Sequence, residues 1–181
     1  MLSITNILES TTKENWRVRS EVYIIKDNNL IVGVPPKWKG YIIPGGGVDK
    51  GEDLKSAAKR EALEEIATKC KNLEFISKTK IKHYQPRNLT HNKNKILGRI
   101  NDFTGSIFNT FVAEFDGYDK KLQTKDLDDL YKPKEITFDE AISFFKQHKK
   151  NCEKNDDRFN VNKCKYTLEI LNIIKNKKNI E

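Results

Sequence analysis

Cysteine is scarce in this 181-residue chain, and long apolar runs are missing. The three cysteines, Cys70, Cys152 and Cys164, lie far apart, are odd in number and form no C-x-x-C pair. This spacing disfavours a zinc site and a disulfide framework and predicts reduced structural thiols. No segment is apolar for long enough to cross a membrane. The first ten residues include Glu9 and lack the pattern of a signal peptide, so we expect a cytoplasmic protein.

Histidine is also rare, and charge of one sign dominates. The three histidines are isolated in the sequence, which disfavours a histidine metal site. Lysine and arginine number 34 against 26 acidic residues, giving a net charge of +8. A basic balance favours polyanionic partners such as nucleotides or RNA. The abundant lysines are equally consistent with a solvated surface and tail.

The order of the predicted elements indicates one α/β or α+β domain over residues 1–181. Val18–Ile25 and Leu30–Val34 predict a hairpin around Asp27–Asn29. Tyr41–Ile43 runs into Pro44–Gly47, which predicts an open loop without regular structure. Further along, we predict a helix over Asp53–Thr68, a strand in Leu73–Tyr84, a long loop insertion at 85–105, a strand over Ser106–Phe115, a polar connection at Asp116–Lys134, and helices over Thr137–His148 and about 160–176.

The most informative cluster is acidic. Glu61, Glu64 and Glu65 are spaced at i, i+3 and i+4, which places the three carboxylates on one face of a helix. Ala62 and Ile66 fall roughly on the opposite side, where they can pack on a sheet. Three like charges destabilise a helix unless cations neutralise them, and Mg²⁺ prefers carboxylate oxygens and water.

A glycine-rich segment precedes this cluster at a fixed distance. Gly46 is followed after five residues by Glu52, and after seven more by Arg60 and Glu61. Ala62 holds the next apolar position, and Glu64 and Glu65 follow. This arrangement resembles the Nudix signature, G-x5-E-x7-R-E-U-x-E-E-x-G-U with U apolar. The matching segment, the box, runs from Gly46 to Thr68, and its two departures are Ala67 for the last glycine and Thr68 for the last apolar residue.

The resemblance implies a Nudix-like α/β/α sandwich with a mixed β-sheet, and an enzyme that hydrolyses a diphosphate linkage in a nucleoside diphosphate derivative. It implies that Mg²⁺, or Mn²⁺, is bound by Glu61, Glu64, Glu65 and the Gly45 carbonyl. Glu52 and Arg60 would orient these ligands through a salt bridge. Glu61 is our candidate general base within the box. The downstream alternatives are Glu114, Asp128, Asp129 and Glu135.

Substrate recognition is less constrained by the sequence. Arg19 and Lys39 could contact phosphates, Trp38 and Tyr84 could stack on a base, and Gly46 leaves its backbone open to a ligand. The P-G-G-G form is typical of hydrolases of nucleoside triphosphates and nucleotide sugars, and ADP-ribose belongs to the same substrate class. An RNA 5′-end hydrolase, a diadenosine polyphosphate hydrolase and a non-catalytic nucleotide sensor are the alternatives. Many members dimerise, so a homodimer is compatible with the resemblance, and a membrane partner is not expected.

Overall fold

A single mixed β-sheet organises the computed structural model, which describes residues 15–36, 39–84, 102–119 and 131–178. The strands run in the order β4-β5-β1-β2-β6, and β3 pairs with β1 beside this path. β1 is parallel to β5 and antiparallel to β2 and β3. The elements are β1 Trp16–Lys26, β2 Asn29–Val34, β3 Gly45–Gly47, α1 Leu54–Ile66, β4 Thr68–Lys82, β5 Gly105–Tyr118, β6 Lys132–Ile136, α2 Phe138–Lys154 and α3 Arg158–Lys178.

The two faces of the sheet are covered by different helices. Alternate side chains of a strand point to opposite faces, and β1 shows this directly. Val22 and Ile24 pack with α1, whereas Tyr23 packs with α2 and α3. Both clusters contain fully buried residues, so each face of the sheet has its own apolar core. The predicted α/β/α sandwich with a mixed sheet is confirmed.

The predicted hairpin is present and has the expected turn. Asp27 and Asn28 have φ values of 46° and 67°. Two consecutive positive φ angles match the tight turn whose twist suits a two-residue hairpin, and Asp and Asn tolerate this conformation.

The prediction that Pro44–Gly47 has no regular structure was wrong for three of its residues. Gly45–Gly47 forms β3, an antiparallel partner of β1. The cause is the missing side chain. A Cβ on Gly45 would lie 2.5 Å from the Cβ of Glu21, and one on Gly46 would lie 2.1 Å from Glu61 Oε1. Glycine therefore permits a close approach to both β1 and α1 that other residues would block.

Two further boundaries differ from the sequence prediction. β6, Lys132–Ile136, lies at the end of the segment predicted to be a polar connection, and it pairs with β2. Its exposed residues alternate with partly buried ones, and a five-residue edge strand carries little apolar signal. β5 extends to Tyr118, into the same predicted connection. Of the predicted loop at 85–105, residues 85–101 lie outside the described residues, and Gly105 begins β5.

The three cysteines are buried and unbonded to one another, as predicted. Burial raises the pKa of the Cys70 thiol to about 11 and that of Cys164 to about 12, so both remain protonated at neutral pH. Among the helices of the described segments, none is long and apolar enough to cross a membrane.

Helix α1 ends at an alanine in a conformation that favours glycine. Ala67 caps the helix with φ 50° and ψ 33°, and its N–H donates to the carbonyls of Ala62 and Leu63. This is one of the two positions where the box departs from its signature. The left-handed region costs a non-glycine residue about 1–2 kcal/mol.

We expect Ala67→Gly to raise the free energy of unfolding by about 0.5 kcal/mol, because relief of the left-handed strain exceeds the loss of one buried methyl, worth about 0.8 kcal/mol. Ala62→Gly is the matched control. Ala62 is equally buried but lies inside the helix, where glycine costs about a further 1 kcal/mol. Urea unfolding of both variants measures the difference. Equal destabilisation by the two substitutions would contradict the strain at Ala67.

Candidate active site

The start of α1 is set by Asp53. Its Oδ1 accepts hydrogen bonds from the backbone N–H groups of Lys55 and Ser56, at 2.9 and 3.1 Å. A capping aspartate satisfies donors that have no partner within the helix and favours the positive end of the helix dipole. The helix is thereby anchored one residue after Glu52, which fixes where its later carboxylates project.

Arg60 joins three acidic side chains of the box into one cluster. Its Nε and Nη2 donate to the two carboxylate oxygens of Glu52, at 2.8 and 2.9 Å. Its Nη1 donates to Glu61 Oε1 at 2.9 Å and to Glu64 Oε2 at 3.1 Å, and Nη2 also donates to the Gly47 carbonyl at 2.9 Å. A planar guanidinium suits such a forked arrangement, because several donors are fixed in one plane.

Glu65 connects the helix to β3. The Gly45 N–H donates to Glu65 Oε2 at 3.0 Å. The carbonyl of the same glycine accepts a hydrogen bond from Arg19 Nη2 at 2.8 Å. The N-terminal half of β1 passes close to α1 and β3 at this point. Five predicted site residues therefore lie together there: Arg19, Gly45, Gly46, Glu61 and Glu65.

The surroundings of this cluster shift the pKa values of two of its carboxylates in opposite directions. Hydrogen bonds from Arg60, and next from the Asp49 N–H, hold the pKa of Glu52 below its ordinary value. Burial raises the pKa of Glu61, although Arg60 and Arg19 oppose this rise. The Glu52 carboxylate therefore stays ionised to lower pH than an exposed glutamate, whereas Glu61 binds a proton more readily than an exposed glutamate.

The chemistry of the donors suits a hard divalent cation. Three carboxylates and a backbone carbonyl offer only oxygen ligands, which Mg²⁺ prefers. In this conformation Arg60 and the Gly45 N–H engage the carboxylates. Within residues 15–36, 39–84, 102–119 and 131–178, no three His, Cys, Asp or Glu side chains are already grouped at metal-binding spacing.

A cavity of about 280 Å³ opens beside this cluster. Its wall combines groups from β1, the segment before β3, and the two helices of the opposite layer. The lining residues are Arg19, Tyr41, Ile42, Ile43, Gly45, Glu65, Tyr131, Phe145, His148, Asn160, Lys163, Cys164 and Thr167. Ligand pockets in proteins begin at about 300 Å³, so the cavity fits one compact group rather than a long chain.

Comparison with known proteins identifies the family of this chain. The family model of the NUDIX domain matches residues 17–152. The chain belongs to the Nudix family. An RNA pyrophosphohydrolase of Pelagibacter ubique is 34% identical over 125 residues, covering 64% of this chain and 73% of that relative. The prediction of a Nudix pyrophosphohydrolase is thus confirmed at the level of the family.

Solved Nudix structures agree in fold. A NUDIX hydrolase from Nitrosomonas europaea superposes with a TM-score of 0.51 at 16% identity, covering 72% of this chain and 78% of the other. A mutator MutT protein from Bacillus halodurans gives a TM-score of 0.52 at 18% identity, covering 71% and 72%. At such identity the likeness concerns the fold alone.

Next to the Nudix box lies an ion pair between a buried glutamate and a partly buried lysine, which the sequence analysis did not identify. Glu21 on β1 is 3% exposed. Its carboxylate accepts hydrogen bonds from Lys163 on α3 and from the Thr110 hydroxyl, the latter at 2.8 Å. Burial lowers the pKa of the Lys163 ammonium, and Glu21 opposes that effect. A glutamate inside the apolar run VRSEVYII was the available signal, because a charge in a buried strand requires a partner.

Three further substrate-binding residues were predicted, and the structure describes two of them. Lys39 is exposed, and Trp38 falls outside the described residues. Tyr84 lines a separate hollow with residues of α3 such as Asn162 and Lys165, away from the Nudix box. Among the described residues, no polar or ring contact joins Tyr84 to the box.

Two downstream candidates for the general base, Glu114 and Glu135, lie away from the box. Glu114 accepts a hydrogen bond from Asn72 at 2.9 Å, near the opposite end of β1. Glu135 pairs with Lys26 at 2.9 Å. Asp128 and Asp129 fall outside the described residues. Of the candidates that the structure describes, Glu61 is the one within the cluster.

Proposed function

We propose that this Nudix hydrolase cleaves the diphosphate linkage of a nucleoside diphosphate derivative, with Mg²⁺ or Mn²⁺ held by Glu61, Glu64, Glu65 and the Gly45 carbonyl. The observation that carries the proposal is the convergence of the box carboxylates on Arg60 beside an open cavity. Family members generally use divalent metals. When bound, such a metal neutralises charge on phosphate oxygens and makes a bound water more acidic.

Glu61 is the residue that we assign as general base. Among the candidates that the structure describes, it is the one that lies within the cluster, where its Oε1 is bonded to Arg60. Arg60 holds Oε1 at 2.9 Å and thereby fixes the carboxylate plane. The other oxygen, Oε2, can then receive the proton of the attacking water.

Arg60 and Glu52 act on this reaction by positioning. The two hydrogen bonds between Arg60 and Glu52 link the loop before α1 to the middle of that helix. They thereby hold the helix carboxylates at a constant position relative to β3. Arg19 supplies a cation at the cavity wall, where it can contact a substrate phosphate. Gly46 has no side chain to obstruct the approach of a ligand to the backbone.

An RNA 5′-end pyrophosphohydrolase is the specific candidate that a relative favours. The Pelagibacter ubique protein that is 34% identical carries this activity in its name, and the net charge of +8 suits a polyanionic substrate. Diadenosine polyphosphates receive less support, because Tyr84, which suggested them, lies in another hollow. A non-catalytic sensor is disfavoured because every box glutamate is present.

A substrate panel tests the proposal. The purified chain is incubated with Mg²⁺ or Mn²⁺ and nucleoside triphosphates, ADP-ribose, a nucleotide sugar, a diadenosine polyphosphate, 5′-triphosphorylated RNA or capped RNA, and the phosphate-bearing products are identified by mass. We expect metal-dependent cleavage of a phosphoric anhydride, with 5′-triphosphorylated RNA among the best substrates, and complete loss with EDTA. Absence of hydrolysis across the panel, or hydrolysis that EDTA does not affect, would contradict the proposal.

A further inference from the structure

The cavity beside the Nudix box has charged groups of both signs in its wall. Glu65 lines it from α1, and Arg19 and Lys163 line it from β1 and α3. Burial lowers the pKa of His148, another lining residue, so its imidazole is mostly neutral at pH 7. In the part of the wall that the structure describes, two cations and one carboxylate therefore face the same small space.

Lys163 reaches this cavity from α3 and is held there by a buried glutamate. Its ammonium donates to Glu21 Oε2, and the Glu21 carboxylate also accepts a hydrogen bond from the Thr110 hydroxyl at 2.8 Å. The Glu21 side chain is 5% exposed and the Lys163 side chain is 22% exposed. Solvent therefore reaches the lysine although its partner is enclosed. An ammonium has three N–H donors, so a ligand in the cavity can accept a bond from one that Glu21 does not take.

The two cations lie against one aromatic ring. The Arg19 guanidinium carbon is 5.5 Å from the centroid of Phe108, and the Lys163 ammonium is 4.1 Å from it. Burial lowers the pKa of Lys163, the Glu21 carboxylate opposes this effect, and the positive charge of Arg19 adds to it. The two cations therefore repel each other across the cavity wall, and an anion bound beside both of them offsets that repulsion.

The strand register places these cations next to the box. Glu21 on β1 is the partner of Gly45 on β3, and facing residues of antiparallel strands have Cα atoms about 4.5–5.5 Å apart. Arg19 Nη2 donates to the Gly45 carbonyl at 2.8 Å. Gly45 and Lys163 line the same cavity of about 280 Å³, so one compact group can contact the box and the lysine together.

We propose that Lys163, held by Glu21, binds phosphate oxygens of the substrate inside the box cavity. The inference rests on the proposed hydrolysis of a diphosphate linkage. A diphosphate carries more negative oxygens than the box engages, and Arg19 and Lys163 supply the counter-charge for the others. The site thereby selects substrates that place an anionic group on the α3 side of the linkage that is cleaved.

Methylenediphosphonate is the probe for this assignment, because it carries two phosphonate groups but no cleavable oxygen bridge and no base. Its Kd is measured by calorimetry in the presence of Mg²⁺ for the unaltered chain and for two double variants. E21Q/K163M removes the proposed contact together with its buried partner, so the net charge of the chain stays the same. K149M/E153Q removes a matched lysine–glutamate pair from α2, whose charged atoms are 2.6 Å apart and accessible to solvent.

E21Q/K163M should weaken binding of the probe by about tenfold or more, which is the usual worth of a hydrogen bond to a charged group. K149M/E153Q should bind within about twofold of the unaltered chain, because an exposed pair without net charge has little effect at a distance. Lys163→Arg keeps the charge and should keep most of the affinity. Removing both charges of a buried pair is often close to neutral for stability, and urea unfolding checks that each variant is folded in the assay.

Kinetics separates the failure of this contact from that of the proposed function. For the substrate that is cleaved best, E21Q/K163M should raise KM by the same factor as Kd and change kcat by less than about threefold. If the unaltered chain cleaves no substrate, the proposed function fails, whereas binding of methylenediphosphonate still tests Lys163. Equal affinity of the two double variants for the probe, or no binding of it by the unaltered chain, would overturn the assignment. A raised KM without loss of probe affinity would also overturn it, because Lys163 would then contact the base or the sugar.

Discussion

Replacing Glu65 with glutamine should reduce metal-dependent hydrolysis by about 100-fold or more while the fold remains intact. The amide oxygen of glutamine can still accept the Gly45 N–H that Glu65 Oε2 accepts at 3.0 Å. The contact between α1 and β3 is therefore retained, and the negative charge is lost. A ligand that helps a metal to stabilise charge in phosphoryl transfer contributes several kcal/mol, and about 1.4 kcal/mol corresponds to a tenfold change in rate.

The matched control for this variant is Glu153→Gln. Glu153 lies on α2 and pairs with Lys149 one turn earlier, at 2.6 Å, so the substitution removes the same charge at a site remote from the box. We expect its kcat to match that of the unaltered chain. We would measure kcat at a series of Mg²⁺ concentrations and the free energy of unfolding in urea. Together these measurements distinguish a loss of catalytic activity from a loss of protein stability. Unchanged turnover in Glu65→Gln would refute the metal assignment.

Lys163→Met should lower the free energy of unfolding by about 3–5 kcal/mol, the usual cost of removing one partner of a buried ion pair. The substitution retains an apolar stem of similar length but leaves the Glu21 carboxylate, 3% exposed, with the Thr110 hydroxyl as its remaining side-chain donor among these contacts. The ammonium also lies 4.1 Å from the centroid of the Phe108 ring, and that attraction disappears with the charge.

A double-mutant cycle identifies the source of this loss. Glu21→Gln combined with Lys163→Met removes both charges, and replacing a buried pair with neutral groups is often close to neutral for stability. We therefore expect the double variant to be more stable than Lys163→Met alone by about 2 kcal/mol. Urea midpoints at constant m value provide the measurement. If the second substitution added a further loss instead, lost packing at Lys163 would be the cause, and not the unpaired carboxylate.

The sequence could predict the part of the site that is encoded within one helix turn and its flanking loop. Glu61, Glu64 and Glu65 are close in space because they are close in sequence, and Arg60 lies beside them for the same reason. The spacing of Gly46 and Glu52 adds the rest of the box. These relations depend on local geometry, which spacing alone determines.

The far wall of the cavity could not be predicted in this way. Lys163 meets Glu21 across 142 residues, and His148 and Asn160 reach the cavity from α2 and α3. Nothing in the local pattern of α3 indicates that Lys163 points inward, because a lysine on a helix is usually exposed. The glycine strand was missed for a related reason, since its conformation depends on the proximity of β1 and α1 and not on its own propensity.

The parallel pairing of β1 with β5 has a consequence for the order in which the molecule can assemble. Thr110 and Glu21 are 89 residues apart in the chain. The pairing of β1 with β5 therefore forms only after the long intervening segment has brought the two strands together. The hairpin and the box helix, by contrast, make their contacts over short separations and can form early. During synthesis the box carboxylates would thus be arranged before the strand that completes the core beside them has left the ribosome. Destabilising β5 should therefore slow folding more than it disturbs the local geometry of the box.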